Sequence, residues 1–373
     1  MSRLFYRIFA VLAFSAVAAC STPRGAGFQA EVLAAQDEKA ADGSLQYDFA
    51  VVPITRGTHD VVRQWPTVGT TSYTWPQRQS QPESLLIAPG DLLSVLIWDA
   101  EENSLLTSPG QKVAELQQMQ VQSDGRIFIP FVGEFRVAGM SEGTARARIE
   151  EQLVATVPSA QVQLRVLAGR ANAAYLVSGM SRPGSYPLDG RNVSLLSLLS
   201  TGGGVRNDLN NPQLRLFRGN RVYGVSVDQL LKNPEMDLVV QGEDRIIIEE
   251  DARKFLSLGA TGREAVHQFT WDDMTALDAL SMVGGVSDTR ANPQGILILR
   301  EYPQSAVRAD GKGGPSKDRV VFIIDLTSAD GLFSAGEFPI MPDDLVYATE
   351  SPIGAARTVF GIFTSALTLS NRL

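Results

Sequence analysis

The sequence has few of the residues that build disulfide frameworks, metal clusters and catalytic sites. Its 373 residues include one cysteine, Cys20, and two histidines, His59 and His267. A single cysteine excludes an internal disulfide framework and a multi-cysteine metal site. The formal net charge of −8 makes the chain a poor general binder of nucleic acid. With 44% hydrophobic and 20% charged residues, the composition is otherwise that of an ordinary globular protein.

The few titratable clusters have simple structural explanations. Neither histidine has a Cys, a His or a carboxylate pair at metal-ligand spacing. Asp272-Asp273 is expected in the first turn of a helix, where the helix dipole stabilises carboxylates. Glu249-Glu250-Asp251 is expected to be a solvated boundary. We therefore predict a protein that is not an enzyme and that holds no metal and no cofactor.

The first 20 residues have the pattern of a bacterial secretory signal. Arg3 and Arg7 form a positive region, an apolar stretch follows, and Cys20 comes directly after small residues. Cleavage at a small-residue site with an incidental cysteine, or a retained membrane anchor, would also fit this pattern. The segment resembles a lipoprotein signal. That resemblance implies that residues 1–19 are removed, and that Cys20 carries diacylglycerol and an N-linked acyl chain such as palmitate.

Residues 20–84 follow as a lipid-anchored tether or arm. They lack a sustained hydrophobic period and contain two proline-broken points, Trp65-Pro66 and Trp75-Pro76. We expect a loosely packed segment whose aromatic residues pack in isolation, although they could also dock on a neighbouring domain. Ser21, in place of an aspartate, implies transfer to the outer membrane by resemblance to lipoproteins.

Regular patterns begin at residue 85. Pro89-Gly90-Asp91 predicts a turn before an apolar strand, and Asp124-Gly125 predicts the turn of a hairpin over residues 119–130. Ser141 is expected to cap a helix. This order of motifs, over residues 85–168, resembles the export domain of the polysaccharide export outer-membrane lipoproteins. The expected role of these turn and cap residues is to maintain the fold.

An internal repeat follows the export domain. A shift of 81 positions brings Leu199, Ser200, Gly203 and Gly204 onto Leu280, Ser281, Gly284 and Gly285. Each copy, over residues 174–250 and 254–350, has a short helix that ends in glycines, then Asn-Pro-Gln and a strand. The copies resemble the soluble ligand-binding β-grasp repeats (SLBB repeats) of the same family. Their name suggests sugar binding; we favour stacking into rings that make subunit contacts.

The C-terminal segment, residues 352–373, is predicted to be an amphipathic helix of roughly 33 Å, about the thickness of a bilayer core. Spacings of three and four residues place one polar or small stripe along it. That stripe consists of Arg357, Gly361, Thr364, Thr368 and Asn371, and the opposite face includes Val359, Phe360, Phe363 and Leu367.

Three structures fit this helix. It could pack on the last domain, cross the membrane alone, or join copies from other subunits in a closed helical barrel. In the barrel, the polar stripe faces a water-filled lumen and the apolar face contacts lipid. Periodicity alone favours the packed helix, whereas the family resemblance favours the barrel.

The sequence therefore predicts an α+β chain with an export domain, two β-grasp-like repeats and a transmembrane helix that forms an oligomeric barrel. The resemblance implies a porin-like outer-membrane channel for capsular or other polysaccharide, with most of the chain in the periplasm. Implied partners are other subunits, about eight in a ring, and an inner-membrane co-polymerase or periplasmic adaptor with an ABC transporter, as in group 2-type capsule export. The alternative is a periplasmic carbohydrate-binding or scaffold lipoprotein without a pore.

Overall fold

The computed structural model describes residues 25–34, 36, 48–69, 73–77, 86–99, 111–188, 190 and 192–352. These residues contain sixteen β-strands in four sheets and seven α-helices. The predicted α+β class is therefore confirmed. The chain divides into two compact units: residues 72–251 form one, and residues 1–71 with 252–373 form the other.

The elements are as follows. The strands are β1 (Ala50–Pro53), β2 (Leu92–Trp98), β3 (Val113–Gln120), β4 (Arg126–Ile129), β5 (Gly133–Arg136), β6 (Gln161–Leu167), β7 (Ala173–Ser178), β8 (Gly184–Pro187), β9 (Gln213–Arg218), β10 (Arg221–Ser226), β11 (Arg245–Glu249), β12 (Lys254–Gly259), β13 (Ala265–Gln268), β14 (Ala291–Glu301), β15 (Arg319–Ile324) and β16 (Leu345–Glu350). The α-helices are α1 (Gln29–Ala34), α2 (Arg56–Val62), α3 (Glu142–Val154), α4 (Leu195–Thr201), α5 (Val227–Lys232), α6 (Ala276–Met282) and α7 (Ala329–Glu337).

The export-like domain combines the sheet β3-β2-β6 with the ribbon β4–β5, and α3 packs against β6. Leu93, Val95 and Ile97 of β2 are fully buried, because alternate side chains of a strand point to the same face. Ile149 of α3 joins the same core. Ser141 caps α3 as predicted, since its Oγ accepts the backbone N–H of the residue three positions later at 3.2 Å.

The predicted hairpin over residues 119–130 is wrong, although its turn forms. Gly125 has the expected positive φ of 81°. However, β3 pairs with β2, and β4 pairs with β5. The Pro-Gly-Asp turn explains the difference. Gly90 N–H donates to Val121 O at 2.9 Å and Val121 N–H donates to Asp91 O at 2.8 Å, which ties the end of β3 to the start of β2.

The internal repeat seen in the sequence is a repeated fold. The first repeat has the strand order β10-β9-β11-β7-β8, and the second has β15-β14-β16-β12-β13 with β1 added at its edge. The two orders match strand for strand. In both repeats the first helix, α4 or α6, is followed by glycines with positive φ, as the sequence predicts; they are Gly203, Gly204, Gly284 and Gly285.

Each repeat has an arginine–aspartate ion pair at the turn before its last strand; both partners are buried in the second repeat, whereas in the first the aspartate is buried and the arginine is half-buried. In the second repeat, Arg300 Nε and Nη2 donate to the Asp344 carboxylate at 2.8 and 2.7 Å. In the first, Arg218 Nε and Nη2 donate to Asp244 at 2.9 and 2.6 Å. The side chains of Arg300 and Asp344 are only 2% and 0% exposed. The pair therefore joins β14 to the turn before β16 inside the core.

Desolvation disfavours the charged form of both partners. It raises the pKa of Asp344, although Arg300 opposes that effect. For Arg300, the adjacent carboxylate outweighs desolvation, and the pKa of Arg300 is raised. We take the pair as ionised because the carboxylate accepts two guanidinium N–H groups and also the Met341 N–H, which lies 2.8 Å away.

Residues 48–69 are packed on the second repeat and do not form a loose arm. β1 pairs in parallel with β15, which would otherwise be the edge of the sheet. The Trp65 ring lies edge-on to Tyr302 at a centroid separation of 5.8 Å and at 6.0 Å from Phe322. The sequence did not indicate this packing because β1 has only four residues, too few to show the alternation of apolar and polar side chains that is typical of a strand.

A second part of the arm, residues 73–77, lies on the first repeat. Trp75 Nε1–H donates to Met236 O at 2.9 Å. The Arg215 guanidinium lies 4.1 Å from the centroid of the Tyr73 ring, a cation–π contact. Both Trp-Pro points therefore dock on a folded domain, whereas the sequence favoured isolated packing.

His267 of β13 is buried against β12. Its ring stacks on Phe255 at a centroid separation of 5.1 Å, and its Nε2 lies 2.9 Å from Ser257 Oγ. Because Ser257 Oγ donates to Arg263 O at 2.6 Å, we assign the donor role to His267 Nε2–H. Burial, followed by the charge of Arg263, lowers the pKa of His267 from its ordinary value of about 6.5.

The first prediction concerns the buried ion pair. Arg300→Met leaves Asp344 as an uncompensated buried charge and should lower the free energy of unfolding by about 3–5 kcal/mol. Glu301→Gln is the matched control, because Glu301 forms an exposed pair with Arg319 at 3.1 Å; its cost should stay below about 1 kcal/mol. Urea unfolding measures both variants. If both variants lower the free energy of unfolding by the same amount, the buried pair contributes no more to stability than the exposed one.

The second prediction is a pH dependence. Since the pKa of His267 is lowered in the folded state, the unfolded chain binds a proton that the folded chain resists below about pH 6.5. Stability should therefore fall from pH 7 to pH 5 more steeply in the wild type than in His267→Gln, by at most about 1.4 kcal/mol per pH unit. If the free energy of unfolding falls by the same amount between pH 7 and pH 5 in both proteins, His267 does not contribute to the pH dependence.

Candidate functional site

The residues that the sequence assigns to lipidation and to a pore lie outside the described residues. They are Cys20, Arg357, Gly361, Thr364, Thr368, Asn371, Val359, Phe360, Phe363 and Leu367. Within the described ranges, no helix combines the length and the apolar character needed to cross a membrane. The part of the site that the structure describes is the edge of the second repeat from which both ends of the chain depart.

At this edge, residues 25–28 lie beside the end of β16. Phe28 and Glu350 form a parallel β-bridge. Glu350 N–H donates to Gly27 O at 3.1 Å, and Gly27 N–H donates to the Tyr347 hydroxyl oxygen at 2.7 Å. The N-terminal segment is therefore hydrogen-bonded to Tyr347 and Glu350, in the last four residues of β16, directly before the C-terminal segment begins.

The sheet itself leaves room for this segment. β12 pairs with β16 only as far as Gly259, which lies opposite Ala348. Beyond that point the same side of β16 has no partner from β12, and residues 25–28 occupy it. Ala26 is 8% exposed there. The N-terminal segment thus completes the sheet where β12 ends.

The Glu350 carboxylate joins three chain segments at this point. Glu350 is 9% exposed. Its Oε1 accepts Gly25 N–H at 3.2 Å and Arg290 Nη2–H at 3.3 Å. Arg290 O in turn accepts Ser351 N–H at 2.8 Å. We name Gly25, Arg290 and Glu350 the terminal clasp.

The first repeat holds the exit of its last strand in a similar way. Asn211, in the loop before β9, donates from Nδ2 to Asp251 Oδ2 at 2.7 Å. Arg290 occupies the corresponding loop before β14. Asp251 is 4% exposed, so the expectation of a solvated boundary is wrong at this residue. Its carboxylate is satisfied by the loop, which explains why it can be buried.

The other acidic pair of the sequence is also placed differently from the expectation. α6 begins at Ala276, capped by Thr275, so Asp272 and Asp273 precede its first turn. The Arg253 side chain instead donates to Asp272 O at 3.0 Å. These carboxylates thus lie in the loop that follows β13.

Potential catalytic groups do not assemble into an accessible site in the described residues. Residues 139–143 fit the Gly-x-Ser-x-Gly pattern of hydrolases, but Ser141 Oγ caps α3. A substrate cannot reach the contact between Ser257 and His267, because Ser257 is 0% exposed. His59 is packed, with Nε2 3.2 Å from Glu337 O. In the same ranges no group of three or more His, Cys, Asp or Glu residues could hold a metal ion.

Two cavities lie at the corresponding edges of the repeats, next to the paired arginines Arg300 and Arg218. The cavity in the second repeat, about 630 Å³, is lined by apolar residues of the arm and of β14 and β15, among them Val68 and Val320. The cavity in the first repeat, about 400 Å³, is lined by polar groups that include Arg221, Tyr223 and Gln241. Each is covered on one side by the arm.

Sequence reasoning missed the terminal clasp. Glu350 follows an apolar strand and Arg290 belongs to the repeated loop, but no local pattern connects them to Gly25. The clasp residues are 60 positions apart or more. Only the pairing of residues 25–28 with β16 brings them together.

Comparison with known proteins agrees with the resemblance seen in the sequence. Residues 79–167 match the family described as polysaccharide biosynthesis/export protein. The chain is 26% identical over 306 residues to the capsule polysaccharide export protein BexD of Haemophilus influenzae, covering 76% of this chain and 77% of that protein. It is 26% identical over 295 residues to the capsule polysaccharide export outer membrane protein CtrA of Neisseria meningitidis serogroup B, covering 75% of each chain.

A relative of lower identity matches over a similar share of the chain. The Vi polysaccharide export protein VexA/TviF of Salmonella typhi is 22% identical over 285 residues, which cover 76% of this chain and 78% of that protein. The similarity thus extends beyond the export domain into both repeats. Residues 79–167 thus match the polysaccharide biosynthesis/export family, and about three quarters of the chain is similar to proteins named for polysaccharide export.

Proposed function

We propose that this protein is an outer-membrane lipoprotein through which capsular or other extracellular polysaccharide leaves the cell. The main support is the similarity over about three quarters of the chain to proteins named for polysaccharide export, two of which are named for the export of capsule polysaccharide. The function is that of a passive conduit and not of an enzyme. The relatives are named for export and not for an enzymatic activity, which is consistent with that assignment.

The geometry at the terminal clasp supports attachment to one membrane by both ends. Cys20 is five residues before Gly25, a distance of at most about 18 Å even for a fully extended chain. Glu350, which bonds to Gly25, is two residues before the start of the C-terminal segment. A lipid on Cys20 and an amphipathic helix over residues 352–373 would therefore meet the membrane from the same edge of the second repeat.

The conduit requires several subunits. One amphipathic helix cannot enclose a lumen, whereas a ring of helices can place apolar faces on lipid and polar stripes on water. In this proposal Arg357, Thr364 and Thr368 line the lumen, together with Gly361 and Asn371. Val359, Phe360, Phe363 and Leu367 contact lipid. The export domain and the two repeats form periplasmic rings below the helices.

The energy for transport comes from other proteins, because a passive conduit does no work on the polymer. An inner-membrane ABC transporter with a co-polymerase or periplasmic adaptor would push the polymer into the conduit. A protein without a pore, which binds or scaffolds carbohydrate in the periplasm, is the competing function. The cavity of about 400 Å³ in the first repeat, whose lining includes Arg221, Tyr223 and Gln241, is the feature that favours it.

The third prediction tests the pore. Thr364→Leu with Thr368→Leu makes the proposed lumen stripe apolar and should reduce surface polysaccharide to near background, while the rings still assemble. Surface polysaccharide is measured by antibody or lectin binding to intact cells, and assembly by light scattering of the detergent-solubilised protein.

The matched control replaces residues on the opposite face. Phe363→Leu with Phe360→Leu keeps that face apolar and should leave export unchanged. Deletion of residues 353–373 should abolish export. If export survives either the deletion or the double Thr→Leu change, the C-terminal segment is not the pore, and the competing periplasmic function gains support.

A further inference from the structure

We propose that the terminal clasp is a positioning device that couples the lipid anchor to the C-terminal segment. Its residues Gly25, Arg290 and Glu350 hold the N-terminal chain against the exit of β16, so that the anchor determines where the C-terminal segment meets the membrane. This inference rests on the proposed function for the roles of Cys20 and residues 352–373. It adds a function for Gly25, Arg290 and Glu350, which all lie outside the family match at residues 79–167 and which no sequence pattern connects.

The contacts of the clasp are concentrated at one carboxylate. Glu350 Oε1 receives one backbone donor, Gly25 N–H at 3.2 Å, and one charged donor, Arg290 Nη2–H at 3.3 Å. Charge-assisted hydrogen bonds are stronger than neutral ones, particularly when one partner is buried. Glu350 therefore links the first described residue of the chain to a loop of the second repeat and to the end of its last strand.

Space at Gly25 is part of the device. A Cβ at this position would lie 2.5 Å from Arg290 Nη2, so a larger residue forces the guanidinium to shift, and we expect that shift to weaken its contact with Glu350. At Gly27, two residues later, a Cβ would have only ordinary contacts, with its nearest neighbour in Val32 at 3.4 Å. The same Gly→Ala substitution should thus open the clasp at one position and leave it intact at the other.

The arm does not need the clasp to stay folded on the second repeat. β1 remains paired with β15, and Trp65 remains packed on Tyr302 and Phe322. These contacts lie downstream of Gly25 in the chain and involve none of the clasp residues. Loss of the clasp should therefore release the short segment before Phe28 without unfolding the repeat. A purely structural role for Glu350 would not have this local effect.

A protease assay on the full-length, lipidated protein in detergent measures this release. Trypsin cleaves after Arg24, directly before Gly25. Glu350→Gln, Arg290→Met and Gly25→Ala should each increase the rate of cleavage at this bond by about two- to fivefold, the change expected for loss of an ion pair whose arginine is half exposed. Gly27→Ala and Glu301→Gln are the controls and should cleave at the wild-type rate. Arg290→Lys, which retains the charge, should lie between the two groups.

The same variants are then compared in cells. Opening of the clasp should lower surface polysaccharide at least severalfold, with normal thermal unfolding and a normal amount of protein in the outer membrane. Unchanged cleavage in Glu350→Gln and Gly25→Ala would overturn the clasp. Faster cleavage with full export would overturn its role in positioning.

The outcome separates this inference from the proposed function. If deletion of residues 353–373 abolishes export while the clasp variants export normally, only the clasp inference is wrong. If that deletion leaves export intact, the proposed pore is wrong, and the coupling between the anchor and the pore falls with it.

Discussion

The end of β16 carries the interaction on which the proposed architecture depends. Residues 25–28 pair with it where β12 stops, and the Glu350 carboxylate joins Gly25 to Arg290. Because β16 lies inside the sheet, between β14 and β12, its direction is set by the core of the second repeat. The chain that leads from Cys20 and the chain that leads to the C-terminal segment therefore share one fixed starting point.

The two repeats show how one fold serves two positions in the chain. Both pair an arginine with a buried aspartate before the last strand, and both hold the exit of that strand with a side chain from the preceding loop. In the first repeat that side chain is Asn211, bonded to Asp251, where the chain continues into another repeat. In the second it is Arg290, bonded to Glu350, where the chain leaves for the C-terminal segment. Arm segments cover corresponding edges of each sheet and add contacts through half-buried aromatic side chains.

Local patterns predicted the local structure well. The turn at Gly125, the cap at Ser141 and the glycines after α4 and α6 are all present, because each depends on the conformation of a few adjacent residues. The hairpin over residues 119–130 and the loose arm were wrong for a common reason. Strand pairing between distant segments decided both, and neither Val121 nor β1 shows its partner in the sequence. The clasp could not be predicted for the same reason, while Cys20 and the pore stripe remain predictions from pattern and resemblance.

Imaging of the purified full-length protein in detergent would show directly whether the subunits enclose a channel. A channel built from one helix per subunit must be an oligomer with closed symmetry. The account predicts ring-shaped particles with a central opening that continues through a narrower, detergent-covered end. Monomeric particles, or rings without an opening at that end, would contradict it.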